Sequence, residues 1–314
     1  MSPNQSRWAV RAILFAIAVA LILDAAVLLA RTPKGHAAWL YFRGRAGACT
    51  LSQSLEAAEL STQQLAAVER IHSKTALIET DRNGFECWDT PRGRFWMAGG
   101  GSTALEYDLA EQDRKIYGGH GRGERRGDVV LDCGANVGVY ATAALVAGAS
   151  LVVAIEPGPE NLECLRRNLA KEITERRVIV LEKGVWNKDD TLTLNSDPRN
   201  PARDSFYILD GPGIKSVRAH LTTIDNLVAT LGLSRVDFIK MDIEGSEKQA
   251  LQGARETIKK FRPRMAVCTY HRSEDPTTLP SQVRSIEPSY SVTFQGLLTQ
   301  DQVVTEVAHF SIRR

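Results

Sequence analysis

The sequence has no C-x-x-C pair, and its five cysteines are odd in number. Two of them, Cys133 and Cys268, lie inside apolar runs that are typical of buried strands. This pattern indicates a reduced domain that faces the cytosol. The chain also has no internal repeat and no low-complexity block, so its 314 residues, 43% of them hydrophobic, suit one catalytic domain with an appendage.

The chain also has little net charge. Its 39 basic and 37 acidic side chains leave +2, which gives no general attraction to nucleic acids or anionic surfaces. The arginine doublets at 125–126, 166–167 and 176–177 have no aromatic residues interleaved with them on which bases could stack. We therefore predict that nucleic acid is not a partner.

One long apolar run occurs near the amino terminus, at residues 12–30, interrupted by Asp24 and flanked by basic residues on both sides. Its length is close to the roughly 20 residues that cross a bilayer, and the A-x-A site of a cleaved signal peptide is missing. The sequence therefore predicts a single transmembrane helix. The larger number of basic residues after the run predicts a cytosolic catalytic domain.

The domain prediction follows from this reading. Residues 1–34 form a membrane anchor, residues 35–76 a linker or stalk helix, and residues 77–314 the catalytic domain. Within the last part, residues 105–117 are typical of a helix, and Glu106 and Tyr107 on it are minor candidates to reach a ligand.

The stretch that organises the chain is VVLDCGANVG, residues 129–138. An apolar run ends at Asp132 and passes through a turn with Gly134 and Gly138 into an Ala-rich helix, which is a strand–turn–helix pattern. Glycines in such a turn let a ligand lie on the backbone. A dinucleotide motif, G-x-G-x-x-G, has a glycine where this chain has Asn136, which disfavours a pyrophosphate ligand.

The next strand still favours an adenosine ligand. Residues 151–155 form a second apolar run that ends at Glu156, about 20 residues after the first turn, where an acid bonds ribose hydroxyls. Asp132 and Glu156 at neighbouring strand ends therefore predict a site for a cationic adenosine. Val185 and Trp186, after the third strand, are candidates to flank the adenine, although they suit the core equally well.

Strands and helices continue to alternate, which predicts one α/β domain with right-handed crossovers. A fourth apolar run, at residues 236–241, ends in Asp242 and Glu244, and residues 246–261 are expected to form a single helix. Residues 196–213, a loop rich in Pro, Asp, Gly and Asn, are where we expect substrate contacts.

Four motifs together resemble the FkbM family of S-adenosylmethionine-dependent methyltransferases. They are Asp132-x-Gly134-x-Asn136-x-Gly138, AIEP at 154–157, LTTID at 221–225 and IKMDIEGSE at 239–247. The resemblance implies a class I methyltransferase (Rossmann-like) seven-stranded sheet, S-adenosyl-L-methionine as donor, and O-methylation of a hydroxyl on a glycan, polyketide or related metabolite. The predicted cofactor-binding residues are Asp132, Gly134, Asn136, Gly138, Glu156, Val185 and Trp186.

Methylation of an alcohol requires a group that accepts the hydroxyl proton. The predicted candidates are Asp242, Glu244 and His271, which follow the fourth and fifth strands; His271 suits a loop cap equally well. Lys240 is buried in a strand and needs a partner, so it forms a structural ion pair or orients the acceptor.

A divalent cation is an alternative for the acids Asp242, Glu244 and Glu247, because hard cations bind carboxylate oxygens. We predict no metal, since no histidine or cysteine cluster accompanies them in the sequence.

Two other functions stay open: an NAD-dependent oxidoreductase, and a non-catalytic, membrane-anchored interaction module with a methyltransferase fold. The predicted anchor also favours a glycan or lipid-linked sugar as the hydroxyl-bearing acceptor at the membrane.

Overall fold

The computed structural model describes residues 14, 15, 17, 31–100, 102–196, 204–207 and 213–312. Among these residues, the helices are either too short or too polar to cross a bilayer. The longest, Leu51–His72, carries Glu and Gln along its length. This finding contradicts the predicted localisation as a single-pass membrane protein. The apolar run at 12–30, from which that localisation was predicted, lies almost wholly outside the described residues.

Contacts between Cα atoms divide the chain into two units: residues 1–62 with 296–304, and residues 63–295 with 305–314. In the first unit, helix α1 (Pro33–Phe42) begins at Thr32, whose hydroxyl accepts a hydrogen bond from the Gly35 amide at 3.0 Å. Helix α2 (Leu51–His72) lies within residues 35–76, where a linker or stalk helix was predicted.

The remaining helices, and all strand residues except 296–298 and 303–304, belong to the second unit. The strands in chain order are β1 (Ala76–Thr80), β2 (Phe85–Thr90), β3 (Gly93–Ala98), β4 (Val129–Cys133), β5 (Leu151–Ile155), β6 (Val178–Leu181), β7 (Gly184–Val185), β8 (Asp190–Ser196), β9 (Lys215–Thr222), β10 (Phe238–Met241), β11 (Arg264–Cys268), β12 (Tyr290–Leu298) and β13 (Val303–Ile312). The helices after α2 are α3 (Ser102–Asp113), α4 (Val139–Val146), α5 (Pro159–Asn168), α6 (Ala170–Thr174), α7 (Ile224–Thr230), α8 (Glu247–Gln252), α9 (Arg255–Phe261) and α10 (Asp275–Ile286).

The central sheet has seven strands in the order β12-β13-β11-β10-β4-β5-β6. Strand β4 runs parallel to β5 and β10, and β13 runs antiparallel to β11. This mixed α/β sheet confirms the predicted class I methyltransferase-like fold. Two smaller sheets accompany it, β1-β2-β3 and β7-β9-β8. Strand β9, which follows the loop expected at residues 196–213, was not predicted.

Alternate residues of the central strands point to opposite faces of the sheet. Leu131 and Ile239 pack on one face with residues of α7 to α10, whereas Val130 and Phe238 pack on the other with residues of α4 and α5. Each strand is therefore buried on both sides, which explains why the sequence shows continuous apolar runs rather than alternation.

The helix predicted over 246–261 is two helices, α8 and α9, separated at Gly253. A Cβ at this position would stand 2.1 Å from the backbone oxygen of Trp186. The close approach of another segment requires glycine here and interrupts the helix.

One buried histidine in the sheet predicts acid sensitivity. His309 on β13 is 3% exposed, and neither ring nitrogen has a hydrogen-bond partner among the described residues. Burial, with a smaller contribution from Arg122, lowers the pKa of His309 to about 3. The unfolded chain binds this proton near pH 6.5, so the free energy of unfolding falls with decreasing pH by about 1.4 kcal/mol per unit below that value. We expect His309→Leu to flatten this decline in urea denaturation between about pH 6 and 4; an unchanged slope would contradict the assignment.

Candidate active site

The parallel strands β4, β5 and β10 end at the same edge of the sheet, and the strand order reverses between β4 and β10. Such a switch point opens a crevice at the carboxyl ends of the strands. A cavity lies there, lined by residues that directly follow the three strands: Gly134, Asn136, Glu156, Asp242 and Glu244. The structure therefore brings together most of the predicted site residues.

The loop after β4 is shaped by residues in the left-handed region. Gly134, Asn136 and Gly138 have φ values of +80°, +49° and +92°. A Cβ on Gly134 would stand 1.9 Å from the backbone oxygen of Asp242. Asn136 replaces a glycine because asparagine tolerates this conformation better than most side chains. Gly138 does not line the cavity; it begins α4 and packs against Leu165.

Glu156 fastens this loop and faces the cavity. Its Oε2 accepts a hydrogen bond from the Asn136 amide at 2.9 Å, and its Oε1 accepts from the Gly158 amide at 2.9 Å and from Asn161 Nδ2 at 3.3 Å. Burial raises the pKa of Glu156, although these three donors oppose the shift. A carboxylate offers about four lone-pair positions, so one remains for a ligand hydroxyl.

Another part of the cavity wall combines apolar and acidic groups. Val185 and Phe206 line it, whereas Trp186 lies behind and contacts the Phe206 ring edge-on with centroids 6.1 Å apart. Asp204 also lines the cavity, and its buried Oδ1 has no hydrogen-bond partner among the described residues. Burial raises the pKa of Asp204 to about 7. An apolar wall beside an unpartnered acceptor fits an adenine ring with its amino group.

Lys240 and Asp132 form a buried ion pair below the loop. Lys240 Nζ lies 3.2 Å from Asp132 Oδ1 and donates a hydrogen bond to the Gly134 carbonyl at 2.6 Å. Asp132 is fully buried and does not line the cavity. Burial acts to lower the pKa of Lys240, but Asp132 outweighs it and raises the pKa. The pair thus favours the structural alternative for Lys240, and it places Asp132 behind the ligand surface.

Asp242, Glu244 and His271 lie close together at the ends of β10 and β11. The Tyr117 hydroxyl donates to Asp242 Oδ2 at 2.7 Å. His271 Nε2 lies 3.5 Å from Asp242 Oδ1 and 3.4 Å from Glu244 Oε1, and His271 Nδ1 lies 2.9 Å from Glu247 Oε1. Burial acts to lower the pKa of His271, but Glu244 and Glu247 outweigh it and raise it to about 11. In this state His271 is protonated, so the carboxylates are better proton acceptors.

One face of α3 also lines the cavity, and its residues were not among the predicted site residues. Asp108, Glu111 and Gln112 share this face because they are spaced three and four residues apart. Glu106 instead contacts His72 Nδ1 at 3.0 Å, and the Tyr107 side chain is exposed. Burial raises the pKa of Asp108 to about 7. The three- and four-residue spacing of these polar side chains was the sequence signal that they share one face of the helix.

Comparison with known proteins identifies relatives. The model of the methyltransferase FkbM domain matches residues 132–290, about half of the chain. A curated relative, the 31-O-demethyl-FK506 methyltransferase FkbM of Streptomyces tacrolimicus, is 25% identical over 169 residues; the match spans 45% of this chain and 65% of the relative.

Solved structures are also similar. The methyltransferase FkbM from Methylobacillus flagellatus KT has a TM-score of 0.47 at 19% identity, covering 81% of this chain and 60% of that one. An rRNA methylase from Streptococcus thermophilus has a TM-score of 0.39 at 11% identity, covering 61% of this chain and 90% of that one.

Proposed function

This chain belongs to the methyltransferase FkbM family, and we propose that it moves the methyl group of S-adenosylmethionine to a hydroxyl oxygen of a glycan or related metabolite. The observation that carries the proposal is the placement of Glu156 and the Asn136 loop on one side of a single cavity, with Asp242 and Glu244 on the other. Family membership favours this function over the oxidoreductase alternative.

The donor side of the cavity suits a cationic adenosine. Bound S-adenosylmethionine supplies a methyl group whose carbon–sulfur bond breaks with the electron pair left on sulfur. We assign the remaining lone pair of Glu156 to the ribose hydroxyls, and Val185, Phe206 and Asp204 to the adenine. The described residues that line the cavity include six acids and two lysines, and a positively charged ligand would favour the ionised form of the acids, several of which have raised pKa values. The acids are Asp108, Glu111, Glu156, Asp204, Asp242 and Glu244.

The acceptor side supplies proton acceptors. Asp242 and Glu244 present carboxylate oxygens to the cavity, and we propose that one of them takes the hydroxyl proton as the new bond forms. Tyr117 orients Asp242 through its hydrogen bond. In well-oriented model reactions, alignment of two reactants lowers the barrier by as much as about 7–11 kcal/mol, and this cavity would draw on the same effect.

The choice of oxygen as the acceptor atom has support from the curated relative, whose name describes an O-demethyl substrate. Because this chain spans less than two thirds of that relative, we propose only a hydroxyl-bearing acceptor, glycan or similar metabolite, and not the same compound.

Glu156→Gln tests the donor site. Replacing the carboxylate by an amide weakens hydrogen bonds that are worth about 1.5–3 kcal/mol when one partner is charged. We expect the affinity for S-adenosylhomocysteine to fall by about 10- to 100-fold, measured by titration calorimetry. The control is Glu182→Gln, an exposed carboxylate one residue after β6 that pairs with Arg166. Equal affinities in both variants would refute the assignment of Glu156.

The function itself is tested with purified full-length protein and labelled S-adenosylmethionine, offered with hydroxyl-bearing glycans and metabolites extracted from cells that lack the gene. We expect label in an acceptor and binding competed by S-adenosylhomocysteine but not by NAD. Absence of binding of either S-adenosyl compound to folded protein would overturn the proposal.

A further inference from the structure

A second ligand site adjoins the donor cavity, formed by Asp242, Glu244 and His271. One ligand atom from each of these side chains lies within 4.8 Å of the others. The sequence predicted His271 near Asp242 as a proton acceptor but not as a metal ligand, because His271 follows another strand and is 27 residues from Glu244. The fold brings it there, since β11 lies next to β10 and both strands end at the same edge.

The buried Nε2 of His271 is the observation that points to a ligand. A cation bound here would replace the proton on Nε2 that the neighbouring carboxylates otherwise favour. The side chain is only 7% exposed, and Nε2 has no hydrogen-bond partner among the described residues. The two nearest carboxylate oxygens, at 3.4 and 3.5 Å, are too far for good hydrogen bonds. These separations are close to those of adjacent ligands around one cation, which binds each atom at about 2.0–2.3 Å.

Glu247 completes the arrangement from behind. Its Oε1 lies 2.9 Å from His271 Nδ1 and also accepts a hydrogen bond from the Ile243 amide at 3.0 Å. A carboxylate on the far nitrogen of a metal-binding histidine fixes the ring and directs the other nitrogen at the metal. Glu247 itself is 1% exposed and does not line the cavity, so it holds His271 in place without binding the ligand.

We propose that Asp242, Glu244 and His271 bind one divalent cation of the Mn²⁺ type. Carboxylate and imidazole ligands suit such a cation, and three protein ligands leave open positions for acceptor oxygens. The role of this cation rests on the proposed function: it binds the acceptor hydroxyl and lowers the pKa of that hydroxyl. The second Glu244 oxygen then takes the proton. Acceptors with two adjacent oxygen atoms are the class that this site favours.

Mn²⁺ binding to chelator-treated, full-length protein tests the site without any turnover. Electron paramagnetic resonance measures free Mn²⁺, and we expect one ion per chain in the wild type. His271→Gln removes the imidazole ligand and retains an amide that can contact Glu247. Each of the three single variants, His271→Gln, Glu244→Gln and Glu247→Gln, should raise the Mn²⁺ Kd by about 10- to 100-fold. The control is His72→Ala, because His72 also contacts a carboxylate, Glu106, but is not part of the cluster of Asp242, Glu244 and His271.

The outcomes separate the two proposals. S-adenosylhomocysteine binding, measured by calorimetry on the same samples, should be retained in His271→Gln, and this also reports that the variant is folded. Wild-type protein that binds no Mn²⁺ at millimolar concentration, or Glu244→Gln and His271→Gln variants that bind it as tightly as wild type, would overturn the cation site. Mn²⁺ binding without S-adenosylhomocysteine binding would uphold the site and refute the donor.

Discussion

Gly134→Ala is expected to lower the free energy of unfolding by at least about 4 kcal/mol, or to leave no folded protein. The new Cβ would overlap the backbone oxygen of Asp242, 1.9 Å away, and backbone atoms on both sides are held by their strands. The Gly134 amide also donates to the Ile155 carbonyl at 3.0 Å, so the loop cannot shift without losing that bond. The left-handed φ adds a further penalty.

Gly127→Ala is the matched control. Gly127 has φ of +85°, close to that of Gly134, but a Cβ there would have no heavy atom within 4 Å. Alanine at this position should therefore cost only the backbone penalty, about 1–2 kcal/mol. Urea denaturation followed by circular dichroism measures both variants. Similar losses in the two would mean that the contact with Asp242 relaxes, and would contradict the close packing of the loop on β10.

Lys240→Met is expected to lower the free energy of unfolding by about 3–5 kcal/mol. The substitution leaves Asp132, which is fully buried, without its cation at 3.2 Å. It also removes the donor to the Gly134 carbonyl. A buried charge without a partner is costly because nothing replaces its hydration.

The double variant Lys240→Met/Asp132→Asn tests this cause. Removing the charge of Asp132 as well should recover part of the lost stability, because neutral groups can replace a buried ion pair at small cost. Urea denaturation of the wild type, both single variants and the double variant gives the coupling between the two positions. Purely additive losses would show that the pair is not the source of the effect.

The middle of the central sheet was predictable because β4, β5 and β10 are largely apolar runs buried on both faces, and each is followed directly by a glycine or an acid. Strand β5 and the end of β4 agree with the sequence prediction to the residue or nearly so, and Glu156 was found from its distance to the turn. Local pattern alone was sufficient at these positions.

Contacts between distant segments were not predictable. The unpartnered nitrogen of His271, the break at Gly253 and the burial of Asp132 beneath its loop each depend on which backbone lies opposite. The sequence predicts α3 but does not show which of its faces points to the cavity. Glu106 and Tyr107 were therefore named as candidates, whereas Asp108 and Glu111 lie on the face that lines it.

The reversal of strand order at the crevice separates the residues assigned to the methyl donor from those assigned to the acceptor. Groups assigned to the donor lie after β4 and β5, on the short β7 and after β8, whereas groups assigned to the acceptor follow β10 and β11. Changes in the second set can therefore alter which alcohol is accepted while the common donor is still held. Such a division lets related chains change their acceptor substrate while the donor-binding residues stay the same.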